Sequence, residues 1–389
     1  MQLGGFLMVI ALLTAVPALA GDLLKAFQPG EIWPDNNGVH INAHGGGILL
    51  HGGVYYWFGE HKIAGGAGNS AHVGVHVYSS TDLYNWKDEG IALKVDSDPK
   101  SDITNGCVLE RPKVSFNAKT GKFVMWFHLE LKAQGYNAAR SGVAVADVVT
   151  GPYRFIGSFR PNAGAWPLNV PDDLRTPLSA EEAAALAKIP LGGGPVPNYP
   201  GGMLFRRDFA GGQMARDMTL FVDDDGKAYH IYASEDNGTM QISQLTDDYL
   251  EPAGKYLRVF AGHFNEAPAL FKHAGKYFLI TSGCSGWAPN AARLAEADSI
   301  WGPWKELGNP CIGPADRTRI TFESQSTYVP PVAGKPGAFI FMADRWRPGT
   351  AINGRYIWLP LQFKDGKPFL QWLDRWDLSF FDTPVTVYR

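Results

Sequence analysis

Polar and apolar residues alternate in short runs along most of the chain, and five of these runs follow a glycine. They are Gly53-Val54-Tyr55-Tyr56-Trp57-Phe58, Gly121-Lys122-Phe123-Val124-Met125-Trp126-Phe127, Gly226-Lys227-Ala228-Tyr229-His230-Ile231-Tyr232, Gly275-Lys276-Tyr277-Phe278-Leu279-Ile280 and Gly337-Ala338-Phe339-Ile340-Phe341-Met342. Aromatic and β-branched content at a period of two predicts strands, here five of one kind. Most are followed by a second signature, a Thr/Ser-Asp or Gly-Pro turn and then an aromatic: Thr81-Asp82 before Trp86, Gly151-Pro152-Tyr153, Thr246-Asp247-Asp248-Tyr249 and Gly302-Pro303-Trp304. A repeat of roughly 50 residues with glycine-led hairpins fits a four-stranded propeller blade. Five copies predict an all-β chain, a five-bladed β-propeller.

The widest gap between the leading glycines, Gly121 to Gly226, holds an insertion at about 160–213 that is rich in Pro and Gly. Within it Ser179 and Glu182 form a capping box ahead of an alanine-rich run to Lys188, which predicts one short helix. Long excursions from compact domains are functional or disordered, so the insertion reads either as a wall or lid over the propeller face or as a surface decoration.

At the N-terminus the apolar stretch Phe6–Leu19 ends in Ala18-Leu19-Ala20 before Gly21, the small-x-small pattern of a signal-peptidase site. It is too short to cross a membrane as a helix. Residues 1–20 therefore read as a signal peptide and 21–389 as the propeller domain of an exported protein, periplasmic or secreted. Composition adds exclusions: 389 residues, 19% charged, with a formal charge of −3 and no Lys/Arg cluster, give no electrostatic footprint for nucleic acid. Cys107, Cys284 and Cys311 are too few for a disulfide framework or a metal knuckle and read as buried thiols.

The chain has no phosphate-binding glycine loop, dinucleotide fingerprint, zinc-protease helix or nucleophile elbow. The pairs His40/His44 and His72/His76 fall on strands or loops, where that spacing is no metal clamp. Asp223-Asp224-Asp225-Gly226 reads as a hairpin turn because no closing calcium-loop Glu follows. What remains are acids in apolar surroundings near the starts of blades: Glu60, Glu110, Asp217 and Glu266. Innermost strands converge on a propeller axis, so these acids are expected to meet in one pocket, where like charges raise the pKa of at least one. Trp57, Trp126, Trp287 and Trp346 fall near the blade starts; core packing accounts for most tryptophans in a propeller, and Trp287 and Trp346 are the better candidates for stacking on a sugar ring.

The motifs Ala43-His44-Gly45-Gly46-Gly47, Glu60, Glu110-Arg111-Pro112, Arg216-Asp217-Met218, Asn265-Glu266-Ala267-Pro268 and Glu323-Ser324-Gln325-Ser326 together resemble glycoside hydrolase family 43, and most closely its exo-β-1,3-galactanase branch. The resemblance implies an inverting glycosidase with Glu266 as general acid and Asp217 as the residue that tunes and aims it. The usual general-base Asp of the first blade is missing from Asn42-Ala43-His44, a loss the branch shares; its stand-in is Gln325, holding the attacking water with help from Glu110. Substrate-holding roles fall by the same likeness on Glu60, Tyr136 and Asn237. An oligo- or polysaccharide is the implied partner. No cofactor or metal is demanded, although some relatives carry a structural calcium on the axis. Two alternatives stay open, a furanosidase of the same fold acting on β-galactofuranosyl or α-arabinofuranosyl ends, and a carbohydrate-binding propeller without catalysis.

Overall fold

The computed structural model describes residues 23–71 and 73–382; the segment that reads as a signal peptide, residues 1–20, and His72 lie outside them. Five antiparallel sheets follow one another along the chain. Blade I runs from His44–His51 and Val54–His61 to Gly74–Ser80 and Lys87–Lys94, and blade II from Cys107–Asn117 and Lys122–Glu130 to Arg140–Ala146 and Arg154–Phe159. Blade III comprises Met218–Val222, Ala228–Ser234, Thr239–Leu245 and Pro252–Val259, and blade IV Asn265–His273, Lys276–Gly283, Arg293–Ala297 and Lys305–Gly308. Blade V is Gln325–Tyr328, Phe339–Arg345, Arg355–Lys364 and Lys367–Gln371, with Cys311–Ile312 added parallel at its outer edge. The first strand of each blade packs on that of the next, and Gln325–Tyr328 returns to His44–His51 to close the ring. The glycine-led aromatic runs are the second strand of every blade, buried between neighbouring sheets.

Much of the tryptophan content goes into that closure. Phe27 bridges to Trp376, and Trp33, Trp57, Trp86 and Trp358 pack with them between blades I and V. Trp126 is likewise wholly buried, between blades II and III. The Asp223–Gly226 segment is the expected hairpin turn, with Gly226 at φ 78° and Lys272 bridging Asp223 and Asp224.

Two expectations need correction. The insertion carries two α-helices and a 3-10 turn rather than one helix: Ala180–Leu186, started by the Ser179/Glu182 capping box, Gly201–Arg207, and Asp172–Leu174. Gly201-Gly202 hides the second helix from a propensity reading, but Leu204 and Phe205 bury one face and Arg206 reaches Glu182 of the first helix at 2.6 Å. Glu60 is not at a blade start. It lies next to last in the second strand of blade I, opposite His44, and antiparallel pairing returns it to the same mouth of the ring.

Candidate active site

The side chains that meet at the mouth are aimed by breaks in regular pleating. The innermost strands of blades I, II, IV and V shift register between His44 and Gly47, Glu110 and Lys113, Glu266 and Ala269, and Ser326 and Tyr328. A bulge turns a side chain off the strand's alternating faces, and here the shifts lie at the acid motifs. Arg111 sits at φ 55° inside one bulge and Ala267 at φ 53° inside another. Gly45, at φ 60°, leaves the space that the Glu60 carboxylate fills.

The result is a cavity of about 630 Å³ lined by all nine residues singled out from the sequence: Glu60, Glu110, Tyr136, Asp217, Asn237, Glu266, Trp287, Gln325 and Trp346. Arg111 ties them together. Its Nη2 donates to Gln325 Oε1 at 2.6 Å and lies 3.0 Å from Asp217 Oδ2, its Nη1 donates to the Ser326 carbonyl, and its backbone N–H donates to Glu60 Oε1 at 2.9 Å. The Glu60 carboxylate is also 2.5 Å from the buried Lys62 ammonium.

The acids are held in opposite states. Glu266 is pushed up to about 8, first by burial and then by the neighbouring Asp217 charge. Asn237 Nδ2 donates to its Oε1 at 2.9 Å. Asp217 has a counter-cation in Arg111 and also accepts from the Ala267 N–H. Burial works against ionised Glu110 too, but there it is outweighed by His128, which holds the carboxyl down at about 2. His128 lies 2.9 Å from Glu110 and 2.9 Å from Glu130, one carboxylate at each ring nitrogen. Burial lowers its basicity, yet the two acids raise it to about 9, so it is an imidazolium at neutral pH. Tyr136 adds a hydrogen bond to Glu110 at 2.9 Å.

Glu110, His128 and Asp217 offer ligand atoms within 4.8 Å of one another. A metal-binding imidazole must be neutral with a free nitrogen, whereas both His128 nitrogens face carboxylates and Asp217 faces Arg111. The donor set fits an internal charge network better than an ion. Lys113 lies buried between the innermost strands with its Nζ donating to the Gly45 carbonyl at 2.9 Å, and burial, reinforced by the Arg111 charge, lowers its pKa to about 7.

Trp287 and Trp346 stand edge to face, ring centroids 5.8 Å apart, on one side of the cavity. The Leu191–Gly194 turn of the insertion forms part of another. Glu323 lies just before the strand that begins at Gln325, takes a left-handed conformation at φ 61° and pairs with Arg345 outside the cavity. Cys284 departs from the buried-thiol reading: it is half-buried and lines the cavity, whereas Cys107 and Cys311 are buried, and none of the three is paired. The sequence alone implies no role for Arg111, His128 or Glu130. The signal for the last two was present, since Phe127-His128-Leu129-Glu130 places two polar residues on one face of an otherwise apolar strand.

Residues 201–368 match the family model described as Glycosyl hydrolases family 43. A β-1,3-galactosidase of that family, solved with galactodeoxynojirimycin, shares 55% identity over 90% of this chain and 100% of its own, with a TM-score of 0.84. Exo-β-1,3-galactanases from Phanerochaete chrysosporium, solved with β-1,3-galactotriose, and from Clostridium thermocellum share 33% and 34% identity, with TM-scores of 0.72 and 0.71. They cover 91% and 90% of this chain and 68% and 66% of their own. No curated protein matches the chain.

Proposed function

This chain belongs to glycoside hydrolase family 43, and from that premise we propose that it releases terminal galactose from β-1,3-linked galactan with inversion. The substrate rests on the similarity to β-1,3-galactosidases and exo-β-1,3-galactanases. The chemistry rests on one observation: in a single cavity Glu266 is kept protonated at neutral pH beside Asp217, whose charge is held by Arg111. That division equips Glu266 to protonate the leaving oxygen while Asp217 keeps it protonated and aimed.

On the water side, Gln325 and Glu110 divide the work. The Gln325 oxygen accepts from Arg111 Nη2 and from Trp346 Nε1 at 2.9 Å, two groups that can only donate, so the orientation of the amide is fixed by chemistry. Its Nε2 donates to Ser282 Oγ at 2.9 Å and keeps one further N–H. Gln325 thus offers a water a donor, not a lone pair. The proton acceptor is Glu110, whose low pKa keeps it ionised throughout the working range. An imidic-acid form of Gln325 would put a hydroxyl proton against two donors.

The pH profile of kcat/KM on β-1,3-galactobiose tests this reading. Glu266 works as the acid form, so activity is full below about 8 and falls about tenfold per unit above it. Glu110 titrates far lower and adds no acid limb at moderate pH. A decline already complete at pH 6 would contradict the assignment of Glu266 as the protonated partner.

A further inference from the structure

The turn Ser234 to Thr239, between the second and third strands of blade III, holds three successive residues in the left-handed region: Glu235 at φ 53°, Asp236 at φ 56° and Asn237 at φ 66°. None is glycine, and such a run persists only where its surroundings over-determine it. Each of the three is held from the insertion. Tyr199 donates its hydroxyl to Glu235 Oε2 at 2.9 Å, Gly193 N–H donates to Asp236 Oδ2 at 3.1 Å, and the Gly193 carbonyl accepts from Asn237 Nδ2 at 3.1 Å. Arg258 and Arg216 secure Glu235 and Asp236 from the propeller side. The same Asn237 nitrogen donates to Glu266. Both of its hydrogens are therefore used, one on the insertion and one on the acid.

We propose that the insertion is a working part of the active site, in which Gly193 clamps the left-handed turn and so positions Glu266 through Asn237. This rests on Glu266 being the general acid. Gly193 is a positioning residue that does not itself touch the reacting atoms. Its glycine is required: φ is 76°, and a Cβ would stand 2.8 Å from Arg216 Nη1 and 3.5 Å from Asn237 Nδ2. Gly193→Ala therefore strains the Leu191–Gly194 segment and crowds the Arg216 guanidinium that holds Asp236, loosening the clamp on the left-handed turn that carries Asn237. A displaced turn lets water reach Glu266, and since burial is the main cause of its raised pKa, the alkaline limb of the pH profile moves down.

The test compares wild type, Gly193→Ala, Asn237→Ala and the double variant on β-1,3-galactobiose, with unfolding followed alongside. Gly193→Ala is expected to lower kcat on the order of 10²-fold and to move the alkaline limb to lower pH. In the Asn237→Ala background the same change should have no further effect, because the two act in series. Tyr199→Phe, which removes one bond without backbone strain, should lower kcat in the same direction and keeps the test open if Gly193→Ala does not fold. Gly202→Ala, in the insertion's second helix with open space around its Cβ, serves as the control. Independent, multiplicative effects of Gly193→Ala and Asn237→Ala, or unchanged kcat and limb in both Gly193→Ala and Tyr199→Phe, would overturn the inference. A wild type inactive on the galactoside would instead remove the proposed function, so the two failures are distinguishable.

Discussion

Glu266→Gln loses kcat on β-1,3-galactobiose by 10²- to 10⁴-fold, the range over which a positioned general acid acts. Glutamine keeps the shape and still accepts the hydrogen bond from Asn237, but it has no proton to deliver. The loss depends on the leaving group. A galactoside with a strongly acidic phenol departs without protonation, so on that substrate the variant falls far less than on galactobiose. Measuring both substrates separates loss of the acid from distortion of the pocket: distortion would depress them alike, and an equal loss would contradict the role given to Glu266.

Arg111→Met is expected to destabilise the fold by about 3–5 kcal/mol, as removal of one member of a buried ion pair does. Arg111 is almost fully buried, within reach of the charges of Asp217, Glu60, Glu110 and Asp344. Methionine fills comparable volume but leaves this set of acids with fewer counter-charges and Asp217 with none in contact. It also withdraws one of the two donors that fix the Gln325 amide. Activity should therefore fall together with stability. Urea unfolding, with the midpoint and slope compared between variants, measures the first effect; a change of less than about 1 kcal/mol would mean that the acids are satisfied without Arg111.

The fold was readable because its signals are local. A glycine turn followed by alternating aromatic residues needs only neighbours in sequence, and each such run is the second strand of a blade. The candidate site was readable as a set of residue types, and all nine line one cavity. Its wiring was not. Arg111 meets Gln325 across 214 positions and Asp217 from another blade, contacts that exist only once the ring closes. The bulges that aim Glu110 and Glu266 depend on register with the partner strand, which composition does not encode. Glu60 reads as a blade-start residue in the sequence for the same reason, since only antiparallel pairing shows that a strand's end returns to the mouth. The second insertion helix was hidden by Gly201-Gly202, because tertiary burial of Leu204 and Phe205 overrides their poor propensity.

The most direct test of the account follows the anomeric protons by NMR while the enzyme acts on a β-1,3-galactooligosaccharide, before mutarotation mixes the products. A single displacement, with Glu266 protonating the leaving oxygen and water delivered between Gln325 and Glu110, releases α-galactose first. Early release of β-galactose would mean retention through a covalent intermediate and would contradict the division of roles drawn here.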